Sequence, residues 1–258
     1  MKNRWSFLFL VTLVLLVSPI SVWAEDRGYE PGPVDAEPLK DQEPWDQPFG
    51  QEPEVPGVEI ADPLEPWNRM MFAFNDKAYF WFFEPIARGY GRVVPRGGRV
   101  AVSNFFHNAL VPVRLVNAVL QWKGERAGIE LVRFGYNSTI GVLGFFDAAK
   151  RDLNLERNDE DLRQTLGSYG IGHGLYILWP FLGPSSLRDT AGLVGDSFLN
   201  PVNYIRDGGA AVGVRMFDQV NALSLRLGEY EDMKAAALDP YTALRDAYAQ
   251  YMKAQIEK

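Results

Sequence analysis

The stretch from Trp67 to Phe83 constrains this chain more than any other part of it. Twelve of its seventeen residues are apolar and eight are aromatic: Trp67, Phe72, Phe74, Tyr79, Phe80, Trp81, Phe82 and Phe83. Just before it, Asp62-Pro63-Leu64-Glu65 predicts a helix start. Asp62 is the expected N-cap, Pro63 the first helical residue, and Glu65 the closing partner of a capping box. Wound at about 100° per residue, Asn68, Arg69, Asn75, Asp76 and Lys77 gather in one half of the wheel, among Phe72, Tyr79, Phe80 and Phe83. The other half is wholly apolar. A soluble surface helix carries a narrower stripe, built of Leu, Ile and Val. Dense amphipathic rings suit a helix lying in a membrane interface. A helix buried on several sides of a soluble core would read alike, so the pattern leaves both open.

The 258 residues suffice for one sizeable domain and hardly two. Residues 1–24 read as an export signal: Lys2 and Arg4 precede an apolar core from Phe7 to Val17, Pro19 breaks it, and Val22-Trp23-Ala24 offers a cleavage site. Cleavage after Ala24 is the expectation, and an uncleaved anchor is the rival. Residues 25–60 hold eleven acidic residues against Arg27 and Lys40, with seven prolines and few aliphatics. Such a segment buries too little apolar surface to offset its ordering entropy, which predicts a disordered tether. Trp45 and Phe49 are either docking anchors within it or incidental aromatics in a spacer. The body, 61–258, balances 22 acidic with 22 basic residues, so the net charge of −7 comes from the tether at −9 and the leader at +2. A neutral body implies no nucleic-acid face.

Further helices are expected over 99–121, 124–136 and 198–226. A last one is capped by Asp239 and begun by Pro240, with an apolar face of Tyr241, Leu244, Tyr248, Tyr251 and Met252. No period-two run is bounded by hairpin turns, so β content should be low, and no repeat is apparent. Between the helices, Leu166 to Ser186 is rich in glycine and aromatics, with five glycines within 167–183 and Pro180 and Pro184 closing it. It is too kinked to span a membrane and too apolar for a water-exposed loop. Irregular backbone at membrane depth survives only where protein buries it or it lines a cavity. A cavity wall and a packed core loop both fit.

Chemistry-bearing motifs are missing. The sequence contains no cysteine, which removes disulfides, thiolate metal sites, a Cys nucleophile and acylation at cysteine. His107 and His173 are the only histidines, with no H-x-x-x-H or H-E-x-x-H spacing. A lipid hydrolase would want a G-x-S-x-G elbow, and there is none; Ser185 or Ser186 with His173 and Asp189 can be combined only on paper. Gly170-Ile-Gly172-His-Gly174 lacks the third-glycine spacing, the preceding strand and the Lys-Ser/Thr of a nucleotide loop.

Several ordered motifs nevertheless carry a resemblance. They run from Asp62-Pro-Leu-Glu-Pro-Trp-Asn68-Arg69 and Phe72-Ala-Phe-Asn75 through Asn104-Phe105, Asn108, Pro112, Asn117, Leu120-Gln121, Arg133-Phe134, Asn137-Ser-Thr139, Gly141 and Gly144. The second half adds Gln164-Thr-Leu-Gly167, Gly170, Gly172, Leu182-Gly-Pro-Ser-Ser-Leu-Arg188-Asp189 and Asp239-Pro-Tyr241. Over residues 61–250 the chain resembles the MlaA/VacJ family. The resemblance implies an all-α, ring-shaped domain in the inner leaflet of the outer membrane, with a central amphipathic channel through which misplaced phospholipids leave the outer leaflet. It implies trimeric porins and a soluble periplasmic lipid carrier (MlaC-like) as partners, no cofactor, and no catalysis. A structural adaptor that binds porins without passing lipid is the alternative. Three departures stand beside it: no cysteine for the lipid anchor usual in the family, a long acidic tether, and Leu175 where the family pattern has Pro. On this reading Tyr169, Gly170, Gly172, Gly174, Tyr176 and Trp179 are expected to line the lipid path. The eight rings of 67–83 are expected to form the membrane-interface helix.

Overall fold

Helix α1 (Glu65–Ala78) runs into one π-helical turn, Tyr79–Phe83, and on into α2 (Glu84–Val93) in a computed structural model that describes residues 60–258. The expected leader, the tether short of Ile60, and the pair Trp45 and Phe49 lie outside the described residues. Pro85 accounts for the widened turn: it has no N–H to donate, and its ring crowds the carbonyl of Trp81 four residues back. The expected cap of α1 is absent. The helix begins at Glu65 behind Leu64, with Pro66 in its first turn and no side-chain cap. Asp62 is engaged elsewhere, accepting from Asn68 Nδ2 at 2.7 Å and from the Tyr241 hydroxyl.

Two helices, α3 (Arg96–Ala109) and α4 (Val111–Leu120), replace the single one expected over 99–121. Pro112 forces the break, since it fits the first turn of α4 but not a helix interior. There follow α5 (Gly124–Thr139), α6 (Ala148–Leu153), α7 (Leu162–Ser168), strands β1 (Tyr176–Trp179) and β2 (Gly183–Ser186), and α8 (Leu187–Ser197). The helix expected from 198 starts later. A 3₁₀ turn at Pro201–Tyr204 precedes α9 (Gly208–Leu225), whose cap is Asp207, accepting from Gly209 N at 2.8 Å. Helices α10 (Glu229–Ala236) and α11 (Pro240–Ile256) complete the fold, and Asp239 caps α11 as expected. Among the described residues the architecture is all-α apart from one hairpin, which occupies part of the glycine-aromatic stretch read as irregular. Its antiparallel register sets Tyr176 opposite Ser186 and Trp179 opposite Gly183.

Apolar packing is concentrated in one place. Ile60, Tyr176, Leu178, Tyr241, Tyr248, Ala249 and Met252 pack together between the hairpin and α11, with Met71 and Phe72 of α1 against them. Helix α1 meets this core through two amides about two turns apart on one face. Asn68 donates to Tyr176 O at 3.1 Å and accepts from Leu178 N at 2.8 Å. Asn75 does the same one step along, donating to Trp179 O at 2.9 Å and accepting from Phe181 N at 2.8 Å. The two side chains thus satisfy the open edge of β1 as a third strand would. Asn68→Ala would leave one carbonyl, one N–H and the Asp62 carboxylate short of a partner in a buried site. At roughly 1–3 kcal/mol per orphaned group, we expect it to destabilise by at least about 3 kcal/mol in a thermal melt in mild detergent. Glu65→Ala, which removes only an exposed ion pair with Arg69, should move the melt little.

Candidate functional site

Helices α4 and α5 pack with their polar residues inward. At helical spacing, α4 buries Val111, Arg114, Asn117 and Ala118, and α5 buries Ala127, Glu130, Arg133 and Asn137. Arg114 Nε donates to Glu130 at 2.9 Å. Arg133 Nη2 holds both oxygens of Asp147 at 2.9 Å, and Asn137 adds a contact to the same carboxylate at 3.1 Å. Burial opposes the charge on Asp147, but the Arg133 guanidinium outweighs it and holds the carboxyl below the usual range. Asn117 donates to Asp196 at 2.8 Å and accepts from Thr165 at 2.8 Å. Burial still pushes Asp196 up to about 6. The Asp159 carboxylate lies 3.8 Å from His107. Burial and then Arg114, Arg157 and Arg133 depress this imidazole, so it stays neutral and the contact is no ion pair.

The outward faces of the same helices are apolar: Val116, Val119, Leu120, Leu131, Val132 and Phe134 are exposed. A water-soluble helix pair carries the reverse arrangement. The aromatic helix repeats the inversion. Its amides face the hairpin, while Trp67, Phe74, Trp81 and Phe82 are exposed, Trp81 by 80%. The other four rings are half-buried: Phe72 lies edge-on to Tyr241 at 6.0 Å, Tyr79 and Phe80 lie against Tyr230 at 4.8 and 6.1 Å, and Phe83 against Phe181 at 6.1 Å. Further apolar exposure comes from Trp122 and from Ile140, Val142, Leu143 and Phe146 in the turn after α5. No helix among the described residues is long and apolar enough to cross a membrane.

The residues expected along a lipid path divide in two. Tyr169, Gly170, Gly172 and Gly174 are exposed on the segment leading into the hairpin, with Gly170 and Gly174 at φ +82° and +69°. Tyr176 is a correction. It is fully buried and packs between Tyr241 and Tyr248 at 6.3 and 5.9 Å, so it offers no face to a passing molecule. Trp179 is partly buried, its indole N–H donating to Thr190 at 3.0 Å. The paper triad is not assembled. Ser186 is buried and caps α8 by accepting from Asp189 N, Ser185 is buried against Thr190, and His173 Nδ1 faces Arg188 Nη2 at 3.0 Å. Asp189 instead takes Arg188 Nε at 2.7 Å and the Tyr248 hydroxyl.

The remaining motif residues tie distant segments together. Arg69 pairs with Asp239 at 2.7 Å and sits 4.5 Å over the Tyr241 ring, joining the Asp62–Arg69 motif to Asp239-Pro-Tyr241. Asn104 donates to Phe145 O at 3.2 Å and accepts from Arg157. Asn108 donates to Ser138 at 3.0 Å, and Asn137 accepts from Ala149 N at 2.8 Å.

Residues 60–255, including every one of these contacts, match the family described as MlaA lipoprotein. The chain belongs to the MlaA family. It is similar to the intermembrane phospholipid transport system lipoprotein MlaA of Escherichia coli strain K12, 31% identical over 193 residues that cover 74% of this chain and 76% of the relative. The MlaA of Haemophilus influenzae is 29% identical over 202 residues, covering 77% and 80%. An uncharacterized protein of Rickettsia prowazekii is 27% identical over 201 residues, covering 78% and 80%. A solved chain described under the structural basis for maintenance of bacterial outer membrane lipid asymmetry matches with a TM-score of 0.67 and 29% identity. The match covers 76% of this chain and 99% of that one. MlaA relatives are named lipoproteins, whereas this sequence contains no cysteine.

Sequence reasoning missed Arg215 and Asp218, which line a cleft between α3 and α9. No motif marks them, and only the packing of two helices distant in sequence brings them to one opening. The glycines give a direct check on which turns are structural. A Cβ on Gly172 meets nothing within 4 Å, whereas one on Gly144, at φ +89°, would meet Asn108 Cβ at 2.4 Å. Gly172→Trp should therefore melt within a few degrees of wild type, while Gly144→Ala should lose roughly 2 kcal/mol or more.

Proposed function

We propose that this MlaA-family protein is a passive conduit that removes misplaced phospholipids from the outer leaflet of the outer membrane and delivers them to a soluble periplasmic carrier. The observation that carries the reading is its inverted polarity: a buried network of amides and ion pairs, enclosed by exposed aliphatic and aromatic side chains, with no spanning helix among the described residues. Such a body suits one leaflet, lying in the membrane and not across it. The names of the E. coli and H. influenzae relatives support the substrate. Partner porins would hold the body in the plane, and energy would come from the machinery beyond the carrier. The protein acts in this reading by binding and guiding, not by bond-making.

The need for a conduit is energetic. Two acyl chains present about thirty methylenes at about 0.8 kcal/mol each, so a bare lipid crossing water meets a barrier on the order of 20 kcal/mol. A path that offers apolar contact to the tails and polar contact to the headgroup lowers it. The exposed Tyr169–Gly174 segment, flexible in backbone choice and nearly bare of side chains at its glycines, is part of that path in our reading.

Cells carrying Gly172→Trp in place of the wild-type gene test this. The variant should reach the membrane fraction at normal abundance yet let phospholipid accumulate in the outer leaflet, measured by labelling of outer-leaflet amino-phospholipid. It should also bring sensitivity to detergent with chelator. A structural adaptor that passes no lipid would keep the barrier intact in this variant, and that result would overturn the proposal.

A further inference from the structure

Residues 85–124 carry five arginines and one lysine and no acid, in a body whose charges balance overall. Four of the arginines, Arg88, Arg92, Arg96 and Arg99, follow at intervals of three or four residues across the corner where α2 gives way to α3. Two of them have protein partners. Arg88 pairs with Glu84 at 2.6 Å, and Arg99 turns inward to donate to Ser224 O of α9. Arg92 and Arg96 are exposed, and neither makes a hydrogen bond or ion pair among the described residues.

Apolar side chains share the corner. On α2, Ile86, Gly89 and Val93, spaced by three and four residues, form an exposed stripe flanked by Arg92, and Val93 at the helix end is 82% exposed. On α3, Arg96 and Val100 lie one turn apart, both exposed. The inward side is fixed to α9: Ala87 is buried, the Tyr90 hydroxyl donates to Asn221 at 3.0 Å, and the Asn221 amide donates to Arg99 O at 3.0 Å. The outward side is therefore held outward. An apolar tip flanked by cations without counter-charge in the protein complements a phosphate-bearing bilayer surface. Hydrocarbon takes the valines and the arginine stems, and phosphates take the guanidiniums.

We propose that the α2–α3 corner is a docking surface for anionic phospholipid headgroups of the leaflet in which the body lies, with Ile86 and Val93 below the phosphates and Arg92 and Arg96 level with them. The inference rests on the membrane reading above and adds to it a dependence on lipid charge, which the uncharged aliphatic and aromatic faces do not supply. An acidic protein surface would answer the two arginines but not the apolar stripe beside them.

The test mixes the full chain in mild detergent with vesicles of phosphatidylcholine, alone or with about one-third phosphatidylglycerol, and measures the bound fraction by flotation. Each arginine at an anionic surface strengthens attachment about fivefold. Arg92→Gln with Arg96→Gln should therefore weaken binding to the anionic vesicles by about thirtyfold and leave binding to the neutral ones within about twofold. The difference should collapse at about 1 M salt. Lysine at both positions should bind like wild type. Lys150→Gln with Arg151→Gln, the same change in net charge on α6, should cost less than about threefold. A polarity-sensitive label at Val93→Cys should report an apolar environment on anionic vesicles and lose it in the glutamine pair. Equal binding of wild type and the glutamine pair to anionic vesicles overturns the docking surface and leaves the corner to an acidic protein, while the transport reading stands. An equal loss in the Lys150 and Arg151 pair overturns it too, since net charge alone then sets the attraction. No binding of wild type to either vesicle overturns the membrane reading on which both rest.

Discussion

Buried polar groups with assigned partners hold this protein together, because its apolar side chains are largely spent on the outside. In water an exterior of Trp81, Trp122, Leu131 and Leu143 would be a liability. In a lipid leaflet it is the solvated face, and hydrophobic burial no longer drives one helix onto another. Cohesion must then come from hydrogen bonds and ion pairs that have no better partner outside. Glu160 illustrates the point: its side chain is fully buried, and it collects Gln121 at 2.7 Å, Lys123 at 3.2 Å and the Arg126 guanidinium. Removing such a hub would orphan several donors together.

The same constraint explains the asparagines. An amide carries both donors and an acceptor, so one side chain can close two gaps in neighbouring backbone. Asn68 and Asn75 close the edge of β1, Asn108 and Asn137 fasten the turn after α5, and Asn221 joins α9 to α3 through Arg99 O at 3.0 Å while accepting from the Tyr90 hydroxyl. Among the described residues, only the small apolar cluster around Tyr176, Tyr241 and Met252 resembles a soluble core. It sits where the first motif, the hairpin and the last helix converge, so both ends of the described chain are locked at one place.

Much of this was legible in the sequence, and the misses have physical causes. The caps at Asp239 and the helix from Gly124 follow from local chemistry, and both are found. Asp62 fits a cap by spacing, yet a buried tyrosine and asparagine compete for its carboxylate, a tertiary contact that no local pattern reveals. Proline punctuation at Pro112 was visible but underweighted against a long apolar run. The hairpin was hidden because four-residue strands are too short to show alternation. The aromatic helix was recognised by composition, but its orientation was not: Asn68 and Asn75 turn toward the hairpin and Asp76 toward Tyr230 and Lys234 of α10. Tyr176 is expected on the lipid path as an amphipathic ring, whereas its strand packs against α11 and buries it in the core. Arg215 and Asp218 carried no signal, since a cleft exists only after two helices pack.

Because the chain has no cysteine, single-cysteine variants take a spin label at one chosen position, and this gives the most direct test of the inverted exterior. With the protein in bilayers, labels at Val119→Cys, Leu131→Cys and Phe134→Cys should collide readily with dissolved oxygen and poorly with a water-soluble nickel chelate. A label at Lys258→Cys should do the opposite. Equal access of the chelate to all four positions would place the apolar faces in water and contradict the account at its base.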